Sequence, residues 1–255
     1  MHWNWQEMWQ HMGAPALIVA GILIAMGFAS LLVFVERCLF FARARRGAKV
    51  FVSEVAPELE RADFERVAEV TRKFADIPTA RVIGAAAQTF EHARAHGWTG
   101  GLSPLEKTQR HMERSIEVVT ADLRRGFAVL ASVGSTAPFV GLLGTVLGII
   151  TAFQGIASSG SGGLSAVSAG IAEALVETAL GLTVAIPAVL AFHFLSNRAS
   201  EEEMRIKNAL GEFLDRLEDL GDEHPLPQQV TATPGRMAAR TDARPKVAFA
   251  AEAMG

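Results

Sequence analysis

Residues 134–189 decide the fold of this chain and read GSTAPFVGLLGTVLGIITAFQGIASSGSGGLSAVSAGIAEALVETALGLTVAIPAV. They form two apolar runs, each long enough to cross a bilayer, joined by a short Ser/Gly segment. The only charged residues in the stretch are Glu173 and Glu177, one helical turn apart. Ionisable groups are costly to bury in a membrane and often mark a functional site there. The stretch therefore predicts a membrane hairpin, with proton transfer as the functional hypothesis.

Basic residues are segregated along the chain. All 24 Lys and Arg lie between Arg37 and Arg125 or between Arg198 and Lys246. Segments that flank membrane helices and carry Lys and Arg stay on the cytoplasmic side. We therefore expect an all-α membrane protein with three transmembrane helices, its N-terminus outside and its C-terminus in the cytoplasm.

The first apolar run, Pro15 to Val35, is uncharged and would span about 31 Å as a helix. A cleaved signal peptide is not expected, because basic residues follow this run instead of preceding it. Residues 15–36 are therefore predicted to form transmembrane helix 1. The periplasmic or interfacial segment before it, 1–14, is rich in Trp, which favours either a membrane–water interface or a partner-docking patch.

The remaining segments are predicted to be helical, apart from one turn and the tail. Ser103, Pro104 and Glu106 have the pattern of a capping box, and the helix they start is expected to enter the membrane without a break. The predicted segments are a cytoplasmic helical region at 37–103, a long helix including transmembrane helix 2 at 104–157, a periplasmic turn at 158–163, transmembrane helix 3 with its cytoplasmic extension at 164–220, and a disordered cytoplasmic tail at 221–255.

Polar residues inside the hairpin are candidates for function. Glu173 and Glu177 share one helix face, and no Lys or Arg lies in any membrane run to neutralise them. They could relay protons or, alternatively, only form hydrogen bonds to neighbouring helices. Thr145 and Thr178 alone would mean little, since a membrane Thr often bonds a carbonyl of its own helix.

Small residues and prolines inside the membrane runs indicate close helix packing. Glycine weakens an isolated helix, but it allows two membrane helices to approach closely. The residues for which we predict a packing role are Pro138, Gly141, Gly144, Gly148, Gly181 and Pro187.

The sequence argues against several classes of protein. It holds no Ser/His/Asp arrangement, no HExxH and no P-loop, so we expect neither an enzyme nor a cofactor. Its single cysteine, Cys38, excludes an intramolecular disulfide and a cysteine metal cluster, and no metal site is expected. Nucleic-acid binding is not expected, because acidic residues are interspersed with the basic ones.

Two motifs carry a family resemblance. SVGSTAPFVGLLGTVLGIITAF at 132–153 and GIAEALVETALGLTVAIPAV at 170–189 resemble the signature membrane segments of the MotA/TolQ/ExbB proton-channel family. The likeness is closest to the ExbB and TolQ branch, and the three-helix layout is similar over most of the chain. The N-terminus, the region 47–100 and the tail are not diagnostic.

The resemblance implies a homopentamer in the bacterial inner membrane, around a central pore lined by the second and third helices. It implies two copies of an ExbD- or TolR-like single-span partner inside the pore, and it leaves a TonB/TolA-like or gliding-machinery protein as a further candidate partner. The family's pore-facing threonines correspond to Thr145 and Thr178 and its membrane glutamate to Glu173, while Pro138 and Pro187 match family positions.

Glu177 departs from the family pattern, which usually has a small or apolar residue just before the second threonine. Our hypothesis is that Glu177 takes part in proton transfer or holds water in the pore.

The predicted function is that of a proton-conducting, stator-like subunit of a motor driven by the proton motive force. The alternative is a non-conducting pentameric scaffold that houses the partner subunits. The motifs belong to the shared motor, so they do not distinguish outer-membrane transport, envelope maintenance, gliding and biopolymer transport as the work that it drives.

Overall fold

The computed structural model describes residues 13–61, 63–95, 103–159 and 164–223. All regular structure in these ranges is helical, comprising α1 (Ala14–Glu60), α2 (Phe64–Lys73), α3 (Pro78–Ala95), α4 (Pro104–Leu123), α5 (Phe127–Ser159) and α6 (Leu164–Glu223). Helices α1, α5 and α6 are each long and apolar enough to cross a membrane. The prediction of an all-α protein with three such helices is therefore confirmed. The segment 1–12, most of the predicted turn and the tail from residue 224 lie outside the described residues.

Helix α1 continues well beyond the predicted end of the first membrane run. It is one helix of 47 residues, and Pro15 occupies its first turn, where a missing amide hydrogen costs nothing. The Arg- and Ala-rich stretch after residue 36 favours helix and contains no proline before Pro57. The change from an apolar to a charged sequence at residue 36 is consequently not a helix boundary.

The expectation of one unbroken helix from residue 104 into the membrane was wrong. Helix α4 ends at Leu123 and α5 begins at Phe127. Between them Gly126 has a φ of +83°, a conformation that residues with a Cβ rarely adopt. A Cβ at Gly126 would also lie 3.0 Å from Cγ1 of Val33 on α1. Glycine at this position therefore permits both the turn and the close approach of α1.

The start of α4 agrees with the sequence pattern. The Ser103 hydroxyl oxygen accepts a hydrogen bond from the Glu106 amide at 3.1 Å, and the Glu106 carboxylate accepts one from the Ser103 amide at 2.7 Å. The predicted capping box is thereby confirmed.

The basic residues that flank the membrane runs collect at one end of the three long helices, which we call the basic end. Arg37 on α1 donates a hydrogen bond to the Asp122 carbonyl at 3.1 Å, near the end of α4. Arg124, in the turn before α5, pairs with Glu203 on α6 at 3.6 Å. The segregation of charge in the sequence is thus also a segregation in space.

A helical bundle with a large apolar core forms at this basic end. It combines the distal halves of α1 and α6 with α2, α3 and α4, and its buried side chains include Phe51, Val67, Val82, Leu123, Ile206, Phe213 and Leu217. A second, smaller cluster lies among α1, α5 and α6 in the membrane runs, with Val19, Leu23, Val133, Ala137, Ala185 and Ala188 buried. In the smaller cluster, side chains of both α5 and α6 pack against α1.

Candidate functional site

Glycine and alanine set the contact between α5 and α6. A Cβ added at Gly134 would meet Val189, one at Gly148 would meet Ala174 at 3.1 Å, and one at Gly170 would meet Ala152 at 2.5 Å. These pairs run in opposite directions along the two helices, so α5 and α6 are antiparallel and keep one register throughout the hairpin.

The closest approach of the two backbones is at Gly141 and Gly181. A Cβ at Gly141 would lie 2.8 Å from the Glu177 carbonyl oxygen and 3.2 Å from the Gly181 Cα. A Cβ at Gly181 would lie 2.7 Å from the Ala137 carbonyl oxygen. The three nearest atoms at each position are backbone atoms, so a methyl group there could not be admitted by moving a nearby side chain.

The Glu177 side chain of α6 is buried in this interface. It contacts α5 at Gly144, one helical turn after Gly141. It is only 1 % exposed, and neither carboxyl oxygen has a hydrogen-bond partner among the described residues. A Cβ at Gly144 would overlap the Glu177 Oε2 and lie 2.7 Å from its Cδ. The absence of a side chain at Gly144 therefore leaves the space that the Glu177 carboxyl group occupies, which we call the Gly144 seat.

Glu173 lies on the same face of α6 but in different surroundings. It is partly exposed, and its Oε1 accepts a hydrogen bond from the Gly13 amide at 2.9 Å. Gly13 precedes α1, which has no side-chain cap and no acidic residue in its first turn. The carboxylate thus satisfies a free amide at a helix N-terminus, where negative charge is favoured.

The two threonines face a different surface from the glutamates. Thr145 and Thr178 line a shallow apolar groove of about 470 Å³ between α5 and α6, and neither glutamate lines it. The other lining residues are Leu142, Ile149, Ile171, Ala174, Leu175, Ala179 and Leu182. We call this surface the threonine groove.

The hydroxyl groups in the groove differ in their bonding. Thr145 donates to the Leu142 carbonyl of its own helix at 2.6 Å. Thr178 donates across the hairpin to the Gly141 carbonyl at 3.3 Å. A threonine hydroxyl also accepts hydrogen bonds, so each side chain can contact a further polar group that enters the groove.

The structure therefore brings the candidate residues together as two sets. Glu177 is buried against Gly144 and Glu173 contacts Gly13, whereas Thr145 and Thr178 line the threonine groove. Gly141, Gly144, Gly148 and Gly181 lie at the contact between α5 and α6. Pro138 and Pro187 lie inside α5 and α6, which continue on both sides of them.

Two features of the site were not evident from the sequence. The helical period places Glu177 on one face with Glu173, but it does not show that this face meets Gly144. The contact between Glu173 and Gly13 joins residues 160 positions apart, and no local pattern signals it. Within the described ranges, no group of three or more His, Cys, Asp or Glu side chains could hold a metal ion.

Comparison with known proteins identifies the family. The sequence profile of the MotA/TolQ/ExbB proton channel family matches residues 78–208, which include both arms of the hairpin. The biopolymer transport protein ExbB of Neisseria meningitidis serogroup A is 36 % identical over 189 residues, which cover 72 % of this chain and 84 % of the relative.

Two further relatives carry the same name. The biopolymer transport protein ExbB of Salmonella typhimurium is 29 % identical over 81 % of this chain and 83 % of its own length. That of Xanthomonas campestris pv. campestris strain B100 is 47 % identical over 118 residues, which cover 45 % of this chain and about half of the relative's length (47 %). From its sequence profile and from these relatives, the chain belongs to the MotA/TolQ/ExbB proton channel family.

Proposed function

We propose that this chain is the proton-conducting, stator-like subunit of a bacterial inner-membrane motor. It couples the proton motive force to work across the periplasm through an ExbD- or TolR-like partner, as in outer-membrane transport, envelope maintenance or gliding. Membership in a proton channel family and the relatives named biopolymer transport protein ExbB support the proposal.

The observation that carries the proposal is the pair of hydroxyl groups in one groove. Thr145 comes from α5 and Thr178 from α6, and the surrounding wall is apolar. Much of this wall is exposed in a single chain, with Leu142 at 55 % and Leu175 at 63 %. Large exposed apolar surfaces mark contacts with lipid or with other chains. In our proposal five chains surround a central pore, their threonine grooves face it, and two partner helices occupy it.

Proton movement in this arrangement uses the partner's carboxylate and the polar residues of the hairpin. The hydroxyls of Thr145 and Thr178 donate to and accept from that carboxylate or from water as the proton passes. Glu173 and Glu177 supply further groups that can hold a proton. None of the spans carries Lys or Arg that would pair permanently with these acids.

The distribution of basic residues supports one orientation of the chain in the membrane. The basic end holds Arg37, Arg124 and Arg198, and such residues favour the cytoplasmic side. In the proposed orientation the basic-end bundle lies in the cytoplasm, the N-terminus lies outside, and the short connection between α5 and α6 faces the periplasm.

A non-conducting scaffold is the second candidate, and one observation favours it. The polar groups of Thr145 and Glu173 are already engaged within the chain, with the Leu142 carbonyl and the Gly13 amide respectively. Such bonds are sufficient to explain these residues as structural elements that position the partner.

Proton flux into liposomes separates the two candidates. The full chain is reconstituted with its co-purifying single-span partner, and internal acidification is followed with a pH-sensitive dye. We expect flux only when both proteins are present. E173Q keeps an oxygen acceptor for the Gly13 amide but loses the ionisable group, so we expect at least about tenfold lower flux with an unchanged unfolding midpoint. The scaffold reading predicts no flux above that of empty liposomes from the wild-type complex.

A further inference from the structure

Glu177 is the most unusual side chain of the hairpin. It is 1 % exposed and occupies the Gly144 seat, and within the part of the chain that the structure describes neither of its carboxyl oxygens has a hydrogen-bond partner. Buried polar atoms are nearly always paired in folded proteins. An exception of this kind calls for a specific physical explanation.

Among the described residues, no charged group that could compensate an ionised carboxylate lies on the segments packed around Glu177. The membrane run of α1 at 14–35 and the whole of α5 contain no Asp, Glu, Lys, Arg or His. On α6 the nearby titratable group is Glu173, which has the same sign. Burying an unpaired ion is far more costly than burying a neutral acid, so the seat fits the protonated carboxyl group.

We propose that Glu177 is a protonation-coupled latch between α5 and α6. The neutral acid occupies the Gly144 seat and holds the helices in contact. When the O–H bond breaks, the electron pair stays on the carboxylate and the proton passes to water or to a partner carboxylate. The ionised group then leaves the seat. This inference rests on the proposed function and adds that proton exchange at Glu177 changes the packing of the hairpin.

The latch acts on the threonine groove through the shared interface. Thr178 follows Glu177 directly and donates across the hairpin to the Gly141 carbonyl, which lies one turn from Gly144. Departure of the carboxyl group from the seat alters the spacing of α5 and α6 at this level. The distance between Thr178 and Gly141 changes with it, and so does the shape of the groove.

A double-mutant cycle on the full chain in its complex tests the seat. G144A places a methyl group where the carboxyl lies, so we expect the thermal unfolding midpoint to fall by about 2–10 °C. E177A removes the carboxyl group that the new methyl group would meet. In the E177A background, G144A should therefore lower the unfolding midpoint little or not at all. The matched control is G148A, whose methyl group meets Ala174 at 3.1 Å. Its effect should be the same with and without E177A. Strictly additive effects of G144A and E177A would overturn the seat.

E177Q separates the latch from simple packing. The amide is neutral and nearly isosteric with the acid, so we expect an unfolding midpoint within about 2 °C of wild type. G144A should lower this midpoint by the same amount in E177Q as in the wild type. Because it cannot release a proton, flux through the reconstituted complex should fall about tenfold or more. Wild-type flux in E177Q, or a loss of stability equal to that of E177A, would overturn the latch. If the wild-type complex does not conduct, the proposed function fails, whereas the cycle at Gly144 still reports on the seat.

Discussion

The basic-end bundle and the membrane hairpin are packed by opposite means. The bundle buries large side chains such as Phe51, Phe213 and Leu217. The hairpin brings two backbones together at Gly141 and Gly181 and leaves many of its large apolar side chains exposed. Water drives the burial of large side chains in the bundle, whereas helices in lipid associate mainly through close contact. The difference implies that shortening a side chain should lower stability mainly in the bundle, whereas adding a methyl group should lower stability mainly in the hairpin.

The largest effect is expected from truncation in the bundle. Phe213 is 2 % exposed, so F213A should lower the free energy of unfolding by about 3–5 kcal/mol. Met204 lies on the same helix and is 59 % exposed, which makes M204A the matched control with an expected loss of under about 0.5 kcal/mol. Chemical unfolding of the purified chain in detergent measures both. Equal losses would show that the apolar core of the bundle is not where the structure places it.

A methyl group in the hairpin should have the next largest effect. G141A places its Cβ 2.8 Å from the Glu177 carbonyl oxygen, and the three nearest atoms are all backbone atoms. We expect a loss of about 1–3 kcal/mol, even though alanine favours helix by about 1 kcal/mol. At Gly21, in the apolar run of α1, a Cβ would meet no atom of the described residues within 4 Å, so G21A should be neutral or stabilising. A stable G141A would contradict the backbone contact between α5 and α6.

The smallest effect on stability is expected at Glu203 on α6, which pairs with Arg124 in the turn before α5. The hydrogen bond from Lys207 at 2.7 Å, together with the charges of Lys207 and Arg124, lowers the pKa of Glu203 against the opposing effect of burial. Because its folded pKa lies below the ordinary value of 4.5, Glu203 stabilises the fold above that pH and loses this contribution as the pH falls through the folded pKa. E203Q should therefore cost about 0.2–1 kcal/mol at pH 7, with the difference vanishing in acid. Thermal unfolding across pH 3–7 checks this, and a difference independent of pH would count against it.

The three long apolar helices could be predicted from the sequence because their cause is local. Long apolar runs and the placement of Lys and Arg determine where a chain crosses a bilayer, and both are written along the sequence. The capping box at Ser103 was predictable for the same reason. The break before α5 was not, because Gly126 resembles the other glycines of the apolar runs until its φ and its contact with Val33 are known.

The candidate site was predictable only in part. Helical spacing places Glu173 and Glu177 on one face, but their neighbours on α1 and α5 depend on how three distant segments pack. The resemblance pointed to Thr145 and Thr178 without showing that they share a groove. Glu177 illustrates the gap most clearly, because its burial against Gly144 could not be predicted from the sequence.

The most direct test of the account is proton flux with the groove hydroxyls removed. T145A/T178A deletes both from the threonine groove, and T136A/T151A deletes two from α5 that bond carbonyls of their own helix, those of Ser132 and Gly148. In liposomes with the partner, we predict that T145A/T178A lowers flux at least about tenfold and that T136A/T151A leaves it within about twofold of wild type. Equal flux through the two double variants would contradict the proton pathway through the groove.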